Sequence, residues 1–517
     1  MDFDNLNKQQ LAAATYNGKH LLVLAGAGTG KTRTIIARAL HLISTGVQPS
    51  RIKILSFTKK SAQEIANRIK IEGAKMPEAK QVSGSTFHSW CMDLITRYGS
   101  AFGLEGYSCI DEEDRESAIS IAIGNLYNKK KLEVEEKQIR GSLLSDIYSY
   151  AVNTRQNLST AIKMKLYPMQ NGEQIDEKVK KVKELIEPVI RAYIEYKRSR
   201  RYIDYDDMLM AVASILKQNT ELKAFVSSLY DHILIDEMQD TNPLQWMLLE
   251  SFMDNCHLFC VGDDAQSIYA FRGADFKSIH SFVDRVPNSD VYKLEENYRS
   301  TQMIVGAANS LIEKNSEQIR KEVFSRQDVG SPLQLIEAYS DVEEGELVAQ
   351  RIGMLERKEN LSYDHFAILY RTNAQSRIFE ESLRKKGIAY RIYGGLSFYQ
   401  RKEVKDVISY FRLTVNPHDE EAFKRVINYP ARGIGDTTVG KIMAAASECG
   451  VSLWTVIGNP TEYNLAVNKG TLGKLNNFYN LITHFMDQMS KVDAYELGRM
   501  VVQDSGIMAD LMQDRTV

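Results

Sequence analysis

Two stretches of this chain carry residue types spaced for chemistry: a glycine-rich turn ending in Lys-Thr, LLVLAGAGTGKT over residues 21–32, and an acidic run far downstream, ILIDEMQD over residues 233–240. Gly26, Gly28 and Gly30 let backbone amides curl around phosphate oxygens, and the segment TRTIIARALHLI predicts a helix whose N-terminus points at the same anion. Lys31 is placed to reach the β- and γ-phosphates, and the Thr32 hydroxyl to ligate a magnesium ion. The candidate triphosphate site therefore comprises Ala25, Gly26, Ala27, Gly28, Thr29, Gly30, Lys31, Thr32 and Arg33. Asp236 is the expected second metal ligand, directly or through water, and Glu237 the expected acceptor of a proton from the attacking water. Alone, the first stretch is a glycine turn and the second an acidic loop after a buried strand. Together they read as hydrolysis of a magnesium-bound nucleoside triphosphate.

Positioning these groups requires strands that end at one place. Apolar runs suited to strands occur at HLLVLA (20–25), IKILSF (52–57), HILID (232–236) and HLFCVGD (257–263), with helical patterns between them. This alternation predicts an α/β fold with a parallel sheet, whose ligands lie at the carboxyl ends of the strands. The phosphate loop, Thr58, Asp236 and Asp263 all fall at or just past such ends, so one mouth is expected to gather the chemistry. Between about residues 89 and 205 the strand signal gives way to long charged amphipathic stretches, a helical insertion. A second α/β pattern is expected from VYKLEENYR through PLQLIEAY, DHFAILYRT and AYRIYGG, and helices from about residue 400 onward.

Bulk properties narrow the function classes. A chain of 517 residues exceeds a single core, and 44% hydrophobic residues exclude a disordered protein. The net charge of −2 gives no overall attraction for a polyanion, so any nucleic-acid contact must come from local grooves. Five scattered cysteines argue against a disulfide scaffold. Cys256 and Cys260 flank His257, a spacing open to a metal, but the run CHLFCVGDD reads as a buried strand with core cysteines. The polar, acidic start MDFDNLNKQQ does not read as a signal peptide, and no apolar run has membrane-spanning length. A soluble cytoplasmic protein without a membrane partner is expected.

In their order and approximate spacing, these blocks resemble the superfamily 1 DNA helicases of the UvrD/Rep/PcrA type. LNKQQLAA resembles that family's Q motif, AGAGTGKT its motif I, FTKKSAQEI motif Ia, STFHSWC motif Ib, DEMQDTNPLQ motif II, VGDDAQSIYAFRGA motif III and LEENYRST motif IV. ILYRTNAQSR and FYQRKEVKD resemble the blocks that follow. The resemblance implies a RecA-like P-loop sheet domain with a helical insertion, plus part of a second RecA-like domain with its own helical insertion. The corresponding boundaries are 1–88 with 206–288, 89–205, 289–395 and 396–517. It further implies ATP and Mg²⁺ as cofactors, single-stranded DNA and single/double-strand junctions as partners, 3′ to 5′ movement, and a place among repair or replication proteins.

Residue by residue, the resemblance gives Gln10 a carboxamide that pairs with the adenine edge, Tyr298 a face for adenine to stack on, and Arg299 a guanidinium for the γ-phosphate. Gln266 matches the γ-phosphate sensor, and the nearby Tyr269 and Phe271 match aromatics that stack on single-stranded bases, the family usually having Trp where this chain has Phe271. Phe57, Thr86, His88, Arg272 and Arg371 fall in blocks that touch single-stranded DNA, although His88 taken singly reads as a structural histidine. In NYPARGIGDTTVGKI, Arg432 and the glycine-bearing turn can grip a duplex phosphate or can serve only to connect two helices. The basic clusters at 129–131, 178–183 and 197–201 read first as solvated helix faces and second as the lining of a groove.

Nothing after FYQRKEVKD resembles the family's motifs V and VI, which supply a further arginine. The sequence is therefore expected to be an N-terminal fragment that binds ATP but hydrolyses it slowly. Rival readings are a helicase-like ATPase of a defence or nuclease complex and a DNA-binding scaffold switched by nucleotide. The presence of Lys31, Asp236, Glu237 and Gln266 together argues against the scaffold.

Overall fold

The computed structural model describes residues 5–127, 141–275, 277–393 and 402–513. The chain divides into two compact units, Met1–Gln334 and Leu335–Val517.

The first unit is built on a sheet whose strands are β1 (His20–Ala25), β2 (Ile52–Leu55), β3 (Gly84–Ser85), β6 (His232–Ile235), β7 (His257–Gly262) and β8 (Ser289–Leu294). They lie in the order β3-β2-β6-β7-β1-β8, and every neighbouring pair is parallel. A parallel sheet needs both faces covered, and β1 shows how the sequence meets that need. All six of its residues are buried, with Leu22 and Leu24 in one core and Leu21, Val23 and Ala25 in the other, the alternation a pleated strand imposes. The helices Lys31–Ser44 and Lys59–Glu72 pack on one face through Ile35, Ile36, Leu40, Ile65 and Ile69. The helices Phe87–Tyr98, Tyr205–Gln218 and Pro243–Glu250 cover the other through Trp90, Leu94, Leu209, Val212, Trp246 and Leu248. Each of these side chains, fully buried, contributes roughly 1.5–3 kcal/mol.

The expected insertion is helical, formed by Glu112–Tyr127, Gly141–Thr154, Leu158–Leu166 and Glu173–Arg200 around Ile119, Leu144, Ile147, Ile186 and Tyr193. A two-residue ladder of β4 (Ser108–Cys109) with β5 (Tyr202–Ile203) closes its base, a strand pair that the sequence pattern did not reveal. A buried polar chain ties it to the sheet unit: Arg115 pairs with Asp206 at 2.6 Å, Asn153 donates to Asp206 at 2.6 Å, and Asn242 donates to Asn153 at 3.0 Å.

The second α/β pattern needs correction. Its opening run, VYKL, lies within β8 and pairs with β1 from His20↔Ser289 to Ala25↔Leu294, so it completes the first sheet. Beyond it, β9 (Glu296–Asn297) pairs in parallel with β10 (Phe324–Ser325). In the second unit, residues 366–370 and 388–392 form no ladder among the described residues. Phe366, Ile368 and Ile388 instead pack on the helices Asp341–Glu359 and Ser376–Lys385. Strand-like alternation records that one face is buried, and helices can provide that burial without a neighbouring strand. The remaining helices from Lys402 onward enclose a separate core that includes Tyr410, Phe423, Trp454, Phe478 and Phe485. Among the described residues, no helix is long and apolar enough to cross a membrane.

Candidate functional site

At the carboxyl end of β1 the chain turns sharply into the helix Lys31–Ser44. Gly28 and Gly30 sit at φ 71° and 90°, the left-handed region that side chains disfavour. The turn is also tightly enclosed: a methyl group on Gly28 would lie 2.6 Å from Asn297 Nδ2, and one on Gly30 would lie 2.6 Å from Gln10 Nε2. Thr29 braces it from within by donating through Oγ1 to the Gly26 carbonyl at 2.7 Å. Gly30 caps the helix without a side chain, so the first-turn N–H groups remain to face an anion, as expected of a phosphate loop.

The acidic run arrives at the end of β6. Glu237 has φ 52°, an unusual conformation for a residue other than glycine, and its carboxylate meets Lys31 Nζ at 2.9 Å. The loop lysine and the acidic pair therefore share one site. Asp236 is 4% exposed, and its Oδ1 is buried with no hydrogen-bond partner among the described residues. Burial, reinforced by Glu237, pushes its carboxyl up to about 7 despite the opposing charge of Lys31. A buried, unpartnered carboxylate oxygen beside a phosphate loop suits magnesium, and Thr32, half-buried at the helix start, is placed to be the second protein donor. Among the described residues no three His, Cys, Asp or Glu side chains could hold a metal by themselves. That fits magnesium, which usually takes one or two protein ligands and completes its shell with phosphate and water.

The Tyr298–Arg299 step reaches the same loop. Tyr298 N donates to the Gly28 carbonyl at 3.0 Å, and Arg299 Cβ lies 2.9 Å from where a Gly28 methyl would be. The Tyr298 ring is 44% exposed, which leaves a face open. The exposed Arg299 guanidinium has no partner among the described residues. Gln10 is 2% exposed; its Nε2 donates to the Thr29 carbonyl at 2.9 Å, and its Oε1 accepts from Asn7 N at 3.1 Å. These bonds brace the phosphate loop and leave the amide a second N–H and a second lone pair.

Sequence reasoning missed three residues here, of which Asn297 and Gln239 hold these parts together. Asn297 donates to the Ala27 carbonyl at 2.6 Å and accepts from Arg299 N and Ser300 N at 2.8 and 2.7 Å. Gln239 donates to Glu237 at 2.8 Å and accepts from Asp263 N at 3.0 Å, joining the ends of β6 and β7. Asp240 is, with Asp236, a second buried carboxyl of the acidic run, pushed up to about 7 by burial and by Glu237. The run DEMQD carried a signal for Gln239 and Asp240, whereas the role of Asn297 depends on a contact with residues far away in the chain.

Past β7, Gln266 donates to Asp263 Oδ2 at 2.7 Å, and the chain then presents its aromatics. The ring of Phe57 lies 4.7 Å from that of Tyr269, and Tyr269 lies 5.9 Å from Phe271, so the three form a ladder. Phe271 is 61% exposed, and Lys165 from the insertion donates to its carbonyl at 3.0 Å, setting a cation beside the ladder.

The other candidates differ in what their side chains do. Thr86 caps the helix Phe87–Tyr98 by accepting from Ser89 N at 3.2 Å. His88 lies edge-on to Tyr205 with ring centroids 6.1 Å apart, and burial lowers its pKa, in keeping with a structural role. The side chain of Arg272, the cluster at 129–131 and the start of FYQRKEVKD lie outside the described residues. In the 197–201 cluster, Lys197 is not a groove residue: it is 3% exposed and bonded to Asp204 and Asp207 at 2.7 and 2.5 Å. Cys256 and Cys260 are fully buried core residues, as expected.

Within the second unit, Arg371 is exposed, with its backbone N donating to Gln375 Oε1 at 2.9 Å. Arg432 departs from the duplex-gripping reading. Its guanidinium donates to the carbonyls of Val426, Tyr429, Pro430 and Ser505 at 2.8–3.2 Å and lies 5.5 Å from the centre of the Phe478 ring. It holds the turn together and is not free for a phosphate.

Comparison with known proteins agrees with this geometry. Residues 6–287 match the UvrD/REP helicase N-terminal domain, and residues 292–502 match the UvrD-like helicase C-terminal domain. The chain is similar to proteins named ATP-dependent DNA helicase PcrA from Staphylococcus epidermidis, at 31% identity over 516 residues, and from Staphylococcus aureus, at 31% over 518 residues. Each alignment spans 99% of this chain and 68% of the relative.

Proposed function

Since this chain belongs to the UvrD/Rep helicase family, we propose that it is an ATP-dependent motor that binds single-stranded DNA, moves along it 3′ to 5′ and separates duplex ahead of it. The observation that carries this reading is the 2.9 Å contact of Lys31 with Glu237, beside the orphaned Asp236 carboxyl and the Gly28–Tyr298 step. Family members at 31% identity named as ATP-dependent DNA helicases support it, as does the exposed aromatic ladder.

In this reading ATP enters with its phosphates in the loop, and Lys31 exchanges Glu237 for the β- and γ-phosphates. Thr32 and Asp236 would hold magnesium, which would neutralise phosphate charge. Glu237, released from Lys31, accepts the proton of the attacking water. Arg299 meets charge developing on the γ-phosphate, and Tyr298 stacks on the base. Gln266 senses the γ-phosphate, and because Tyr269 is three residues further on, any shift of the sensor is passed to the base-stacking ladder. We place the ATP-binding core in residues 1–88 and 206–288, its sheet completed by β8, with its insertion at 89–205, and the second pair of domains in the rest of 289–395 and in 396–517. We assign it to DNA repair or replication in the cytoplasm.

The test combines ATP hydrolysis with and without single-stranded DNA and strand displacement on duplexes bearing a 3′ or a 5′ tail. DNA-stimulated hydrolysis with displacement from the 3′ tail is expected. Hydrolysis indifferent to DNA would overturn the motor, and stimulated hydrolysis without displacement would favour an ATPase that acts inside a larger complex.

A further inference from the structure

Outside the residues assigned above, one buried ion cluster lies against the site without a part in the mechanism. Lys321 is bonded by its ammonium to Asp263 at 2.5 Å and also to Asp264, with all three side chains at most 5% exposed. Ile319 N adds a bond to Asp264 Oδ2 at 2.7 Å. Burying three charged groups is costly, and their arrangement stabilises only if each remains well bonded. Asp263 is the carboxylate that also holds Gln266 Nε2 at 2.7 Å, through its other oxygen.

The segment carrying Lys321 continues onto the phosphate loop. Val323 packs on Gly26 so closely that a methyl group there would lie 2.5 Å from Val323 Cγ2, and Asn309 Nδ2 anchors the Val323 carbonyl at 2.7 Å. Phe324–Ser325 then pair with Glu296–Asn297, the residues just before Tyr298, and Ser325 Oγ donates to the Ser300 carbonyl at 2.7 Å. Residues 319–325 thus touch, in order, the sensor carboxylates, the phosphate loop and the residues flanking Tyr298 and Arg299.

We propose that this segment is a strap linking nucleotide occupancy to the base-stacking ladder, with Lys321 as the positioning residue that keeps Asp263 fixed when Gln266 leaves it for the γ-phosphate. The inference rests on the function proposed above. Without Lys321, the departure of Gln266 leaves Asp263 paired with no cation, and the loop that carries Tyr269 and Phe271 keeps only the Ile319 N bond to Asp264 as its link to residues 319–321. A lysine beside two carboxylates with no phosphate within its reach would otherwise be read as packing alone.

Coupling is measured as the ratio of single-stranded DNA affinities with and without a non-hydrolysable ATP analogue and magnesium, by anisotropy of a labelled oligothymidylate. If wild type shows a ratio of about tenfold in either direction, Lys321→Met is expected to bring it close to one while nucleotide affinity changes less than about threefold. Lys321→Arg is expected to restore most of the ratio, a rescue that simple loss of packing would not give. Val323→Ala loosens the other anchor without disturbing the ion cluster and is expected to reduce the ratio too, so the strap remains testable if Lys321→Met does not fold by circular dichroism. A wild-type ratio retained in folded Lys321→Met or in Val323→Ala overturns the strap, as does wild type that binds both ligands without coupling. Wild type that binds no nucleotide overturns the proposed function itself and the strap with it.

Discussion

Replacing Glu237 by Gln changes one charge and little else. The amide oxygen can still accept from Gln239 Nε2, which now meets Glu237 at 2.8 Å, and the new residue faces the same backbone demand at φ 52°. Two effects of opposite sign follow. Loss of the proton acceptor removes general-base assistance, typically a factor of about 10²–10⁴ or roughly 3–5 kcal/mol of barrier. Loss of the carboxylate also frees Lys31, which in the nucleotide-free protein is held at 2.9 Å. Because Glu237 is 33% exposed, solvent screens that pair and its net worth is about 1 kcal/mol, so ATP should bind roughly fivefold more tightly. The assay follows phosphate release in a single turnover, with affinity taken from a fluorescent ATP analogue. Turnover within threefold of wild type would show that the base is another group, with Asp240→Asn the next variant to examine. Weaker ATP binding would show that Glu237 does not compete for Lys31.

Alanine at Phe271 is expected to weaken single-stranded DNA binding by about 1–3 kcal/mol regardless of base sequence, as read by anisotropy, with ATP affinity unchanged. Gly30→Ala meets both φ 90° and the Gln10 amide 2.6 Å away, so it should abolish binding of the fluorescent analogue and lower the unfolding midpoint. Stability should also depend on two histidines at strand starts. Burial, aided by the neighbouring His257 charge, lowers both His20 and His232 from 6.5 to about 4, with Lys19 adding to the effect at His20. Unfolding lets each take up a proton at its ordinary pKa, so their contribution is fully present above about pH 6.5 and is lost as pH falls toward about 4. A thermal midpoint that stays flat over that interval would refute the assignment.

What could be read in advance was what local sequence encodes. The phosphate loop and its helix announce themselves through glycine spacing, and HILID and HLFCVGD through apolar runs bounded by carboxylates, so Lys31, Asp236 and Glu237 were found before any contact was known. Phe57 and Tyr269 emerged from the family resemblance, and the structure places their rings 4.7 Å apart. Contacts between distant segments were invisible. Lys321 looks like one more surface lysine until it meets Asp263, 58 residues away, and Asn297 looks like a turn residue until it reaches Ala27. Lys197 sat in a basic run that suggested a solvated face, yet Asp204 and Asp207 draw it into the core. The run VYKL read correctly as a strand but was given to the wrong sheet, because alternation does not specify a partner. Gln10 is legible through the family resemblance, but its bond to the Thr29 carbonyl is not, since a carboxamide suits a base edge and a backbone carbonyl equally well.

The central claim is that one magnesium-bound triphosphate is enclosed by the lysine loop, the acidic pair and the tyrosine–arginine step. A crystal structure with magnesium and a non-hydrolysable ATP analogue tests it most directly. It should show Lys31 moved from Glu237 onto the β- and γ-phosphates, the metal shared by Thr32 and Asp236, and the Arg299 guanidinium on the γ-phosphate. A nucleotide bound elsewhere, or bound here with Lys31 still paired to Glu237 and Arg299 turned to solvent, would contradict it.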